Sequence, residues 1–266
     1  MLLKRVLTAL ILLPALLAAL IPGEVPGTAA VVALLALGGV HEFLRFRNKI
    51  FLRGEESVIA AWGGLVAFSF ISKSLVVPGA LLTTGLLIYL MYDANRRDPG
   101  PTALARFAHV AASWLYIAFG LGFAVTLRRF GYEPIIFLVV IVMAGDTAAF
   151  FVGSAIGRVR LAPRISPKKS VEGAVASIIG ACVCGGLLAG YLKLPFGPTA
   201  GVLISAVLNI AAQAGDLAES FLKRAAGVKD SGKIFPGHGG VLDRVDAFLP
   251  TLPLFAAILM LTGGQP

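Results

Sequence analysis

The densest set of reactive side chains lies late in the chain, where Gly215–Phe248 reads G-D-L-A-E-S-F-L-K-R-A-A-G-V-K-D-S-G-K-I-F-P-G-H-G-G-V-L-D-R-V-D-A-F. Asp216, Glu219, Asp230, Asp243 and Asp246 alternate there with Lys223, Arg224, Lys229, Lys233 and Arg244, and with His238. Charges in such number between apolar segments are costly unless they pair, bind a metal or contact a charged ligand. Carboxylates hold Mg²⁺, while Lys, Arg and backbone N–H groups hold phosphate oxygens, so the mixture suits a metal–polyphosphate substrate.

Asp243 and Asp246 stand three residues apart. On a helix that spacing puts both carboxylates on one face. They open the last apolar stretch, and a helix N-terminus favours negative charge by about 0.3–1 kcal/mol. Asp243 would serve equally as an N-cap, but one cap is enough and a second acid beside lipid needs its own reason. Asp216 ends the preceding apolar stretch and is placed to converge on them. Asp146, in A-G-D-T-A-A-F-F, sits within an apolar run, where a carboxylate costs about 2.5–3.5 kcal/mol on insertion scales. It reads either as an acid hydrogen-bonded to Thr147 or a neighbouring helix, or as a wall of the same polar cavity.

A second polar segment, R-I-S-P-K-K-S-V-E-G, offers Ser166, Lys168, Lys169 and Ser170 ahead of a helix start. Ser170 is placed to cap that helix, and the N–H groups there favour phosphate. The alternative is a plain basic cluster beside the membrane. Gly227–Lys233 reads G-V-K-D-S-G-K, a P-loop up to its lysine. Ile234 follows where Ser or Thr must meet Mg²⁺, no strand precedes it, and Pro236-Gly237 would break the following helix, so the P-loop is rejected. His238 lies in a flexible P-G-H-G-G turn, and His41 and His109 read as packing or interface residues.

The elements that must position these groups are membrane helices. Of 266 residues, 58% are apolar and 14% charged, with a mean hydropathy of +0.88. Soluble domains carry about 25% charged residues, so the solvent for most of this surface is lipid. The net charge of +9 forms no continuous stripe and is not a nucleic-acid footprint. Cys182 and Cys184, in an apolar segment, read as small packing residues rather than a disulfide or zinc site.

Nine apolar stretches are expected to span: approximately 5–22, 26–41, 57–72, 76–92, 107–127, 134–156, 171–192, 197–215 and 243–263. The first resembles a signal peptide, with Lys4 and Arg5 ahead of it, but its length and the following Pro22-Gly23-Glu24 read as a retained helix. With the N-terminus in the cytoplasm, every Lys and Arg except Lys73, Arg128, Arg129 and Lys193 falls on the cytoplasmic side, as retention of basic residues requires. The polar loops 157–170 and 216–244 then face the cytoplasm, where nucleotides are. The expected fold is an all-α, multi-pass protein of the cytoplasmic membrane. Residues 1–133 carry about five spans, and residues 134–266 form the catalytic region around a cavity open to the cytoplasm. Gly153–Gly157 has the G-x-x-x-G spacing that brings helices close.

From Ser220 to Asp246 the chain closely resembles the signature of the phosphatidate cytidylyltransferase (CDP-diacylglycerol synthase) family. Ser220, Lys223, Arg224, Lys229, Asp230, Pro236, His238, Gly239, Gly240, Asp243, Arg244 and Asp246 fill its pattern. The segments G-D-T-A-A-F-F-V-G and S-P-K-K-S-V-E-G look like its companion motifs, with Ser170 and Val171 where Thr and Trp are common. The resemblance is strong over 134–263 and rests on hydropathy alone before that.

The resemblance implies CTP + phosphatidate → CDP-diacylglycerol + pyrophosphate, with Mg²⁺, a monovalent cation such as K⁺ in some members, and homodimers. On this reading Asp243, Asp246, Lys223 and Arg244 are expected to carry catalysis, with Asp243 and Asp246 binding the metal and Asp216 as the third ligand. Ser166, Lys168, Lys169, Ser220, Arg224, Lys229, His238, Gly239 and Gly240 would bind substrate, with Asp146 as cavity wall. A CTP-dependent polyprenol kinase would lack the full signature. A transporter would show internal repeats, and none is present.

Overall fold

The structure is a computed structural model and describes residues 24–52, 54–97, 100–232, 234 and 239–262. The expected first span, 5–22, and His238 lie outside the described residues. The chain divides into two compact units. One holds residues 1–126 and 230–245, the other 127–229 and 246–266.

The first unit contains α1 (Glu24–Leu44), α2 (Glu55–Phe68), α3 (Val76–Arg96) and α4 (Pro101–Ala112). A π-helical stretch (Ser113–Phe119) leads from α4 into α5 (Gly120–Arg129). Indole N–H groups tie these helices through backbone carbonyls, Trp114 donating to Ile59 (2.8 Å) and Trp62 to Leu81 (3.1 Å). Arg97 and Arg106, counted among the cytoplasmic basic residues, are neutralised within the unit. Asp93 accepts from Arg97 Nη1 (2.6 Å) and from Arg106 Nε (2.9 Å) and Nη2 (2.7 Å), and Arg97 Nη2 also reaches Glu55 (2.6 Å). The signature residues 230–245 belong to this unit and include the single-turn helix α9 (Leu242–Val245).

The second unit is built on α6 (Glu133–Ile156), α7 (Val171–Tyr191), α8 (Gly197–Ala225) and α10 (Phe248–Leu261). Its central packing is between α6, α7 and α8, and small residues make it close. On α7 one stripe, Gly173, Ser177, Ala181, Gly185 and Ala189, is buried. The stripe two residues on, Val175, Ile179, Val183 and Leu187, is exposed. In water that arrangement would be inverted. In lipid it is the expected one, because association depends on close backbone approach rather than on hiding aliphatic groups. The G-x-x-x-G glycine Gly153 takes part in it, facing Gly173, where a Cβ would come within 3.0 Å of the Ala149 carbonyl oxygen and 3.3 Å of Gly153 Cα.

The loop expected over 157–170 is a two-stranded antiparallel hairpin, β1 (Arg160–Ala162) with β2 (Ser166–Ser170). Ser170 ends β2 and caps α7, its Oγ accepting from Gly173 N at 3.1 Å. Glu172 in the first turn reaches back to accept from the N–H groups of Arg158 (3.0 Å) and Val159 (3.1 Å). Hairpin and helix are therefore joined at both ends. The sequence G-V-K-D-S-G-K begins as the C-terminal cap of α8. Gly227 takes φ +71°, and the N–H groups of Gly227 and Val228 return to Arg224 and Lys223 carbonyls, the Schellman pattern.

Among the described residues, seven helices are long and apolar enough to cross a membrane. The stretch 57–72 is present as α2 but has 14 residues. At 1.5 Å rise per residue that is about 21 Å, short of the ~30 Å hydrocarbon core.

Candidate active site

In the second unit, the hairpin, α6, α7, α8 and the turn before α10 enclose a cavity of about 540 Å³. Asp146, Asp216 and Asp246 line it, together with Arg160, Lys168 and Lys169. Three carboxylates and three cations thus share one wall within a helical set that is otherwise lipid-facing. Lys169 Nζ forms an ion pair with Asp216 Oδ2. Ser220, one turn further along α8, lies 3.4 Å from the other Asp216 oxygen. Gln213 and Ser177 add polar groups, and the Gln213 amide donates to Asn209 (2.8 Å) and to the Ala174 carbonyl (3.2 Å).

The helix expected to carry Asp243 and Asp246 on one face is interrupted. Asp243 lies in α9, whereas Asp246 and Ala247 form a turn before α10, and Asp246 Oδ1 accepts from Ala247 N at 2.8 Å. Pro250 supplies the reason: in an unbroken helix its ring would meet the carbonyl four residues back, at Asp246.

In the first unit, Asp243 organises the signature segment. Its Oδ2 accepts from Ser231 N (2.9 Å), Ser231 Oγ (2.9 Å) and Gly240 N (2.8 Å). Gly239 takes φ +81° with its α-carbon against that carboxylate, where a Cβ would collide with it. The signature is divided between the units, with Ser220, Lys223, Arg224, Lys229 and Asp246 in one and Asp230, Gly239, Gly240, Asp243 and Arg244 in the other.

Of the other expected residues, Ser166 sits at the far end of β2, paired with Ala162, outside the cavity wall. Lys223 pairs with the fully buried Glu219 one turn before it. Arg224 joins the end of α8 to the hairpin turn through the Ile165 carbonyl (3.4 Å) and to Val228 (3.2 Å). Lys229 and Arg244 are exposed. Asp146 does line the cavity, and Thr147 donates to the Met143 carbonyl instead of to it.

Sequence reasoning passed over Arg160, Gln213, Ser231 and, above all, Glu42. The signal for Glu42 was present, an acid at the end of an apolar run in G-G-V-H-E-F-L, which calls for a partner.

Among the described residues no group of three or more His, Cys, Asp or Glu is arranged to hold a metal ion. Mg²⁺ seldom needs such a group, since it is usually held by one or two carboxylates plus substrate phosphates and water. The cavity offers hard carboxylate oxygens and no His or Cys, a donor set that fits Mg²⁺.

Comparison with known proteins adds an independent finding. The cytidylyltransferase family model matches residues 3–262. A Bacillus subtilis (strain 168) protein named phosphatidate cytidylyltransferase is 31% identical over 265 residues, covering 97% of each chain. One of the same name from Brucella suis biovar 1 is 39% identical over 197 residues, 70% of this chain and 67% of its own. Another, from Staphylococcus epidermidis, is 34% identical over 209 residues, 79% of this chain and 73% of its own.

Proposed function

Because the chain belongs to the cytidylyltransferase family, we propose that it makes CDP-diacylglycerol for phospholipid synthesis by transferring the cytidylyl group of CTP to phosphatidate. The observation that carries this reading is the cavity wall shared by Asp146, Asp216, Asp246, Arg160, Lys168 and Lys169. It combines cation-binding and phosphate-binding groups beside a lipid-facing surface.

The phosphate monoester of phosphatidate is already anionic, so no side chain has to become a covalent nucleophile. One of its oxygens forms a bond to the α-phosphorus of CTP, the bond from that phosphorus to the β-bridging oxygen breaks, and pyrophosphate departs. Catalysis then consists of positioning and charge neutralisation. Lys168, Lys169 and Arg160 hold phosphate oxygens at the wall. Asp216 and Asp246 would hold Mg²⁺, which supplies charge neutralisation on the triphosphate. Asp146 keeps the same wall polar. Asp243, grouped with Asp216 and Asp246 on sequence grounds, holds the signature segment through Ser231 and Gly240. Ser220 supports Asp216, and Lys223, Arg224, Lys229 and Arg244 add positive charge along the signature.

We further propose that all nine apolar stretches cross the cytoplasmic membrane, the short α2 by local thinning of the bilayer, with the N-terminus and the site on the cytoplasmic side, which the one-sided distribution of Lys and Arg supports. The family resemblance extends the proposal to a K⁺ requirement and a homodimer.

The test is incubation of detergent-purified protein with α-³²P-CTP, phosphatidate, Mg²⁺ and K⁺. Label entering the lipid only with phosphatidate and metal present is the expected result. A kinase would move the γ-phosphate and leave this label on CDP, and a folded protein that labels no lipid refutes the cytidylyl reading.

A further inference from the structure

A carboxylate near the start of the chain is tied to the signature almost two hundred residues away. Glu42, on α1, is 4% exposed. Its Oε1 accepts from Val241 N (3.0 Å), and its Oε2 accepts from Leu242 N (3.0 Å) and Ser231 Oγ (2.9 Å). The Ser231 hydroxyl also lies 2.9 Å from Asp243 Oδ2 and accepts from Asp243 N at 3.3 Å. Its single proton serves one carboxylate at a time, so Glu42, Ser231 and Asp243 form one connected network.

The backbone is shaped to admit this carboxylate. A Cβ on Gly232 or on Gly240 would collide with the Glu42 carboxyl group. On α1, Gly38 leaves room for Val241, where a Cβ would come within 3.0 Å of the valine methyl. Leu242 is fully buried and Val241 nearly so. Packing alone would be served by an apolar residue here. A carboxylate that draws in three donors from both ends of one segment does something packing cannot, because it fixes the distance between Ser231 and Val241–Leu242. Between those ends lie signature residues Gly239 and Gly240, and Asp243 and Arg244 follow immediately.

We propose that Glu42 is a positioning residue for the reaction, clasping residues 231 and 241–242 so that Gly239, Gly240 and Asp243 are held in place for substrate. The inference rests on the cytidylyl-transfer reading for its functional half only. In Glu42→Gln the side chain keeps its size, but its amide must turn an N–H toward one of the three donors. Loss of a supporting hydrogen-bond partner behind a functional group typically costs about 10–100-fold in activity. The expected result is a kcat/KM for CTP lower by that factor, through a raised KM measured on the folded protein, beyond any fall in the melting temperature that the lost hydrogen bond brings. A merely destabilised protein would lose active enzyme without moving KM.

The second readout is hydrogen exchange of the ligand-free protein in detergent. Amides 241 and 242 should exchange faster in Glu42→Gln than in the wild type, while those of α7 and α8 stay as protected as before. Should that variant fail to fold, Ser231→Ala removes the clasp's hydroxyl without touching α1 and must raise exchange at amide 243, whose N–H that hydroxyl accepts. Wild-type KM in a folded Glu42→Gln protein, or unchanged exchange at 241–242, overturns the clasp. A wild-type protein that transfers no cytidylyl group refutes the proposed function instead, and the exchange measurement still decides whether the clasp exists.

Discussion

Replacing Lys169 with methionine separates stability from catalysis in this cavity. The side chains of Lys169 and Asp216 retain 29% and 39% exposure, so water screens their ion pair. Pairs of that kind contribute about 0–1 kcal/mol to folding. Methionine fills nearly the same volume, so the variant should fold and melt much like the wild type. Activity should behave differently. If Lys169 neutralises phosphate as pyrophosphate leaves, the variant loses a charge-assisted hydrogen bond of about 1.5–3 kcal/mol. At 1.36 kcal/mol per factor of ten, kcat/KM should fall about 10- to 150-fold. The loss is deepened because Asp216 then keeps its charge beside Asp146 and Asp246 with one compensating cation fewer. The assay is label transfer from α-³²P-CTP at several CTP concentrations, with Lys169→Arg beside it as the charge-retaining control. A Lys169→Met enzyme within about twofold of wild-type kcat/KM, or one whose deficit equals its loss of folded protein, refutes the assignment.

Asp246→Asn should abolish turnover while membrane insertion, read by extraction and detergent gel filtration, stays intact; wild-type turnover would remove Asp246 from the metal role. Gly201→Ala places a Cβ 2.5 Å from Ala189 Cβ and 2.9 Å from the Gly185 carbonyl oxygen, a backbone atom that cannot swing aside. Overpacking of this kind costs about 1–3 kcal/mol, so the unfolding midpoint in detergent should drop, and an unchanged midpoint would mean α7 and α8 do not pack this closely. Asp93→Asn removes the carboxylate that accepts from both Arg97 and Arg106. Breaking a buried pair by deleting one partner costs about 3–5 kcal/mol, which should appear as low yield of folded protein. Recovery by a second change, Arg106→Met, would confirm that the unpaired cation is responsible.

The class of this protein and the outline of its chemistry were legible in its residues taken alone. Hydropathy marks the membrane helices because a spanning segment must satisfy its backbone internally and present apolar side chains to lipid, a condition met residue by residue. Ser170 as the cap of α7 is local chemistry of the same kind. The turn at Asp246–Ala247 had a local signal as well, since Pro250 has no N–H for the Asp246 carbonyl and its ring crowds it. Tertiary structure alone decided which charges meet. Lys169 finds Asp216 across 47 residues and Glu42 finds Leu242 across 200. No local periodicity encodes either distance. Each depends on how closely the backbones approach, which Gly173, Gly201, Gly232 and Gly240 permit by having no Cβ. The sequence names the reactive residues, and the packing of small residues between helices determines which of them share a wall.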